Sequence, residues 1–118
     1  MPKLLQRGEH IVGVDVGGTK LMAVVFNSNF KAVGRGRKKT QSANYTAEER
    51  LYSTIADALA DAGVQSVRGI GVGSPGPLDP NTGVIIDTPN LAWTNFPLAD
   101  LLRERFGVPV TVDNDVNL

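Results

Sequence analysis

The sequence predicts an α/β fold: a mixed sheet in which an antiparallel three-strand meander is joined by parallel strands and flanked by helices. Three observations carry that prediction. Two apolar, β-branched runs on either side of Gly17-Gly18-Thr19-Lys20, followed by a third run after Asn27-Ser28-Asn29, read as strands linked by short turns. Behind them comes a helical pattern with its own start and stop signals. A further apolar strand follows that helix, and a strand–helix–strand order requires a parallel pairing.

In order, residues 1–9 are a short polar lead. The first strand is expected from about His10 to Val16 and the second from about Lys20 to Phe26. Their near-continuous Val, Ile, Leu and Met content reads as burial on both faces. The Gly-Gly-Thr-Lys break reads as a hairpin turn, with glycine supplying positive φ. The third strand is expected from about Phe30 to Thr40, where Gly34 and Gly36 allow a bend or the close approach of another backbone. Thr46 and Glu49 form a capping box at the start of a helix. That helix shows Leu51, Ile55, Ala58, Leu59 and Ala62 on one face and stops at Gly63. Val67–Val72 reads as a strand, Gly71–Pro80 as a glycine- and proline-rich loop, Gly83–Ile86 as a short strand and Asp87–Asn95 as loop. A second helix is expected from Phe96 or Pro97 to Phe106, with Pro97 in its first turn and Gly107 as its stop. Pro109–Val112 reads as the last strand.

Composition bounds the function. The chain has 118 residues, 42% hydrophobic and 20% charged, enough for one core that buries about two-thirds of the unfolded surface. No apolar run reaches membrane-spanning length, and residues 1–9 lack the apolar stretch of a signal peptide. The expectation is a cytoplasmic protein without a membrane partner. With no cysteine, neither a disulfide nor a thiolate metal site is available within the chain. Net charge is zero, but residues 1–40 hold eight Lys/Arg against Glu9 and Asp15, and residues 41–118 hold four Arg against ten acids. Arg35, Arg37 and Lys39 alternate along a strand as a solvated face does. Without interleaved aromatic residues to stack on bases, nucleic acid is not expected as a partner.

Four stretches carry chemistry. Asp15 precedes the Gly17-Gly18 turn, and Thr19 and Lys20 follow it. Backbone N–H groups at the glycines can face an anion, Lys20 adds a point charge, and Asp15 can hold Mg²⁺ directly or through water. The plain alternative is a hairpin whose Asp caps its own turn. The spacing is neither a P-loop nor GxGxxG. Gly71–Asp79 offers backbone close to a ligand, or is an ordinary strand exit. Asn90 can both donate to and accept from a sugar hydroxyl, whereas Trp93 fits packing better than stacking. Asn114-Asp115 lies just past a strand end, where α/β sheets place ligands. Asp115 can take a proton from a hydroxyl that attacks a phosphoryl group; otherwise the pair closes an Asx-type turn.

Singly these signals are weak, but their order is specific. Asp15-Val16-Gly17-Gly18-Thr19-Lys20, then Gly71-Val72-Gly73-Ser74-Pro75-Gly76-Pro77-Leu78-Asp79, then Pro89-Asn90-Leu91 with Trp93, then Asp113-Asn114-Asp115 resembles the N-terminal lobe of the ROK family. That family comprises bacterial glucokinases, related sugar kinases and sugar-responsive repressors. The resemblance spans residues 10–118. It implies an actin-like ATPase, ribonuclease-H-like lobe, with ATP as donor, Mg²⁺, and a hexose as the other substrate. Asp15, Gly17, Gly18, Thr19 and Lys20 would bind the donor's phosphates. Asp115 would be the catalytic base, and Asn90 and Asn114 would hold other sugar hydroxyls. The Ser74-Pro75-Gly76 backbone would line the same pocket. Two positions depart from the common pattern: Asp113 stands where many members have Glu, and Val116 where many have Ala.

The resemblance also implies a second lobe with a Glu-x-Gly-His stretch, an adenosine pocket and often a zinc site, none of which is in these 118 residues. The expectation is therefore a homo-oligomeric, glucokinase-like parent enzyme and an inactive isolated lobe, since half a cleft neither excludes water nor aligns a γ-phosphate. Two alternatives are a sugar-sensing ROK-type regulator and a non-enzymatic actin-like binding module. The regulator would need a helix-turn-helix region before the hairpin, and only nine or ten residues precede it. Asp15, Lys20 and Asp115 together fit a kinase better than the module.

Overall fold

The computed structural model describes residues 5–17, 19–40, 44–74, 78–79, 84–88 and 93–114, with 74, 78–79, 84–88, 93–96 and 113–114 described by their backbone. The elements are β1 (Ile11–Val16), β2 (Lys20–Phe26), β3 (Ala32–Lys39), α1 (Ala47–Ala62), β4 (Gly69–Ser74), β5 (Leu78–Asp79), β6 (Val84–Thr88), β7 (Trp93–Phe96), α2 (Leu98–Phe106) and β8 (Val110–Asn114). The main sheet has the order β3-β2-β1-β4-β8. β1, β2 and β3 pair antiparallel, while β4 runs parallel to β1 and β8 parallel to β4. This is the expected meander extended by parallel strands. A separate antiparallel sheet, β5-β6-β7, was not expected.

Side-chain alternation along strands of fixed register gives this sheet one fully buried face. Val12 stands opposite Val25 on one side and Ile70 on the other, and Ile70 stands opposite Val110. Val14, Ala23, Val72 and Val112 repeat the row two residues on. All are buried, and α1 (Leu51, Ile55, Ala58) and α2 (Leu98, Ala99, Leu102) close the same core. The expectation of burial on both faces fails for β1 and β2. Asp15 is exposed, and Ile11, Gly13, Met22, Val24 and Phe26 are only partly covered. Among the described residues both helices lie on one side. Arg35, Arg37 and Lys39 are exposed on β3, as a solvated face requires.

Local signals set the element ends. Thr46 and Glu49 make both bonds of the capping box, and Gly63 closes α1 in the left-handed region at φ 68°. Gly34 and Gly36 are where α1 meets β3. A Cβ on Gly34 would stand 2.6 Å from the Ala58 carbonyl oxygen, and one on Gly36 would run into the carbonyl of Thr54. The close approach read from those glycines is therefore made by a helix.

Several boundaries differ from expectation. Phe30 lies in the turn, at φ 60°, because Asn27 gathers the backbone around itself. The Asn27 side chain accepts from the N–H groups of Asn29 and Lys31, and its carbonyl accepts from Phe30 N–H. β4 starts at Gly69 and continues through Ser74, into the stretch read as loop, because both β1 and β8 offer it ladder partners. Leu78–Asp79 and residues 93–95, also read as loop, and Phe96, read as a helix start, become strand by pairing with β6, which itself runs from Val84 to Thr88. Pro97 is the residue before α2 rather than part of its first turn. Its ψ of 63° is non-helical, and its carbonyl accepts the first bond, from Leu101 N–H.

Candidate functional site

The Gly17–Lys20 turn joins β1 to β2, as the sequence predicts, but its glycine chemistry differs. Gly17 N–H donates to the Lys20 carbonyl at 2.9 Å, so this donor is spent inside the hairpin and does not face an anion. Gly17 is not among the positive-φ glycines of the described residues. Glycine is needed there because a Cβ would stand 2.8 Å from that same carbonyl oxygen. Gly18 lies outside the described residues. Asp15, Thr19 and Lys20 are all exposed, and among the described residues neither Asp15 nor Lys20 forms an ion pair. These groups are open to a ligand: a carboxylate before the turn, a hydroxyl and an ammonium after it.

The parallel strands bring the other predicted stretches to the same edge. Asp15 is in register with Gly73, and Gly73 with Asp113. Ser74 is in register with Asn114. Adjacent strands lie about 4.8 Å apart, so the Asp15 and Asp113 backbones, two strands apart, are separated by about 10 Å. The carboxyl ends of β1, β4 and β8 thus line up beside the hairpin, the place where α/β sheets take ligands. The structure brings Asp15, Thr19, Lys20, Ser74 and Asn114 to one end of the sheet. Pro75, Gly76, Asn90 and Asp115 lie outside the described residues; Pro75 directly follows Ser74, and Asp115 directly follows Asn114 in the chain.

One buried polar residue at this end went unread in the sequence. Thr40, 1% exposed, donates its hydroxyl to the Gly17 carbonyl at 2.8 Å and its N–H to the Thr19 carbonyl at 2.9 Å. The one available signal was a hydroxyl side chain closing the charged run Arg35–Lys39. As to metals, no group of three or more His, Asp or Glu side chains stands together among the described residues. Asp15 alone suits Mg²⁺, which is commonly held by one or two carboxylates together with substrate phosphates.

A family model described as the ROK family matches residues 11–118. The chain is 35% identical over 113 residues to a glucokinase of Halalkalibacterium halodurans, covering 91% of this chain and 34% of that protein. It is 30% identical over 116 residues to a putative xylose repressor of a Caldicellulosiruptor species, covering 91% of this chain and 28% of the repressor. Among solved structures, a ROK family glucokinase from Streptomyces griseus, in complex with glucose and AMPPNP, superposes with a TM-score of 0.78. Its sequence identity is 30%, over 92% of this chain and 34% of that one. The chain spans about a third of the length of these relatives. On the family match and this shared architecture, the chain belongs to the ROK family, with the actin-like fold of its N-terminal lobe.

Proposed function

We propose that this chain is one wall of the cleft of a glucokinase-like hexose kinase, in which a phosphoryl group passes from ATP to a sugar hydroxyl. The observation that carries this reading is the alignment of the β1, β4 and β8 carboxyl ends beside the Gly17–Lys20 hairpin. Similarity to proteins named glucokinase supports it. Lys20 and the Thr19 hydroxyl meet the donor's phosphates, Gly17 and Gly18 let that backbone come close, and Asp15 holds Mg²⁺, which offsets phosphate charge when bound. The Ser74-Pro75-Gly76 backbone lines the sugar side, and Asn90 and Asn114 hold hydroxyls. Asp115 accepts the proton of the attacking hydroxyl while its oxygen bonds to the γ-phosphorus and ADP leaves. The parent enzyme acts in the cytoplasm as a homo-oligomer on a hexose. Zinc, if the parent carries it, belongs to the other lobe. No helix among the described residues is long and apolar enough to cross a membrane.

The test is hexose-dependent ADP formation by the full-length gene product with glucose, mannose, fructose and N-acetylglucosamine. Asp115→Asn is expected to lower kcat by about 10²–10⁴-fold while sparing sugar binding. Wild-type turnover in that variant would remove Asp115 from its role. The 118-residue chain alone is expected to show no ADP formation above background, because half a cleft does not align donor and acceptor. A second reading, a sugar-sensing regulator, rests on the similarity to the putative xylose repressor. Sugar binding without ADP formation in the full-length protein would select it.

A further inference from the structure

We infer that Thr40 is a positioning residue for the phosphate-binding turn, an inference that rests on the reading of Gly17–Lys20 as the donor site. Within the described residues the turn's own closure is the single bond from Gly17 N–H to the Lys20 carbonyl. Thr40, the residue after β3, supplies two more. Its N–H bond to the Thr19 carbonyl could by itself be one more rung of the β2–β3 ladder, which already pairs Lys20 with Lys39. The hydroxyl bond is different. It reaches past β2 to the Gly17 carbonyl, at the end of β1, so Thr40 spans both sides of the turn.

The side chain is buried, and a buried hydroxyl is costly to keep unless its bond matters, since valine would fill the same space. The anchor behind Thr40 is packed against α1. Arg50 of α1 donates its Nε to the Lys39 carbonyl at 3.0 Å, and α1 lies directly on Gly34 and Gly36 of β3. Thr40 therefore ties an exposed turn to the packed helix–sheet layer. The turn presents Thr19 and Lys20 already ordered, and donor binding has less freedom to remove.

Thr40→Val keeps the volume and the backbone bond and deletes only the hydroxyl. In the full-length gene product it is expected to raise the AMPPNP dissociation constant, read by calorimetry, about tenfold, with the ATP KM rising alike. Hexose affinity should stay unchanged. Without nucleotide, hydrogen exchange in the 17–20 segment should speed up. Thr40→Ser, which keeps the hydroxyl, should restore AMPPNP affinity, and Thr40→Ala carries the expectation of Thr40→Val should that variant not fold. Unchanged AMPPNP affinity overturns the inference, as does parallel loss of AMPPNP and hexose affinity, the mark of a merely structural residue. Lys20→Ala separates the two levels. If it weakens AMPPNP binding and Thr40→Val does not, only the role of Thr40 falls. If neither variant changes AMPPNP affinity, the hairpin is not the donor site and both readings fall.

Discussion

Gly36 on β3 and Gly71 on β4 belong to one sheet and differ in what surrounds them. A Cβ on Gly36 would collide with the Thr54 carbonyl and approach the Ala58 nitrogen of α1 to 2.9 Å. Among the described residues, a Cβ on Gly71 would meet the Thr111 hydroxyl, at an ordinary 3.7 Å. Gly36→Ala should therefore push α1 off the sheet and cost about 1–3 kcal/mol, read as a lower urea midpoint. Gly71→Ala should leave that midpoint near wild type, and equal losses in both variants would refute the distinction. Both glycines are visible in the sequence as special positions, but only packing says which is needed. The same holds at the turn. Gly17 reads as a turn glycine, yet the reason it must be glycine is the Lys20 carbonyl 2.8 Å from where its Cβ would stand. Thr40 was illegible because its partners, Gly17 and Thr19, are more than 20 residues away in sequence.

At the scale of elements, legibility follows how local the determinant is. α1 was readable at both ends because its capping box and its left-handed Gly63 act within a few residues. β7 was not, since Trp93–Phe96 becomes a strand only through β6. The box makes a pH prediction. The Glu49 carboxylate accepts from Thr46 N–H at 3.0 Å, and this backbone bond first, then the Thr46 side chain, lowers its pKa below the ordinary glutamate value. Such a group stabilises the fold fully above its unfolded pKa, about 4.3, and that contribution fades as pH falls through the lower folded value. Thr46→Ala should cost about 1 kcal/mol at neutral pH. Glu49→Ala should make the thermal midpoint fall less steeply with acid below about pH 4.3 than wild type does. Parallel acid limbs in the two proteins would show that the Glu49 pKa is not depressed by folding.

Across the whole molecule, the mixed sheet was more legible in the sequence than how its faces and edges are shielded. The ordered motifs implied the sheet and the ligand edge together, and register then aligned Asp15 with Gly73 and Asp113. The alternating cations of β3 were legible as a solvated face; that β3 is an outer strand of the sheet was not. An outer strand leaves a row of backbone groups that can pair with another chain. Here α1 covers two of them: Asp61 accepts from Arg35 N–H at 2.9 Å, and Arg50 donates to the Lys39 carbonyl. The Lys38–Asp57 pair, at 3.1 Å, lies along the same helix–strand seam. Removing both covers by Asp61→Ala with Arg50→Ala frees a donor at Arg35 and an acceptor at Lys39, four residues apart on one edge. The double variant should associate further than wild type as concentration rises, read by light scattering. Adding back Asp61 alone should reverse part of that association. An unchanged mass across the concentration range would mean that the exposed charges of Arg35, Arg37 and Lys39 protect the edge without help from the helix.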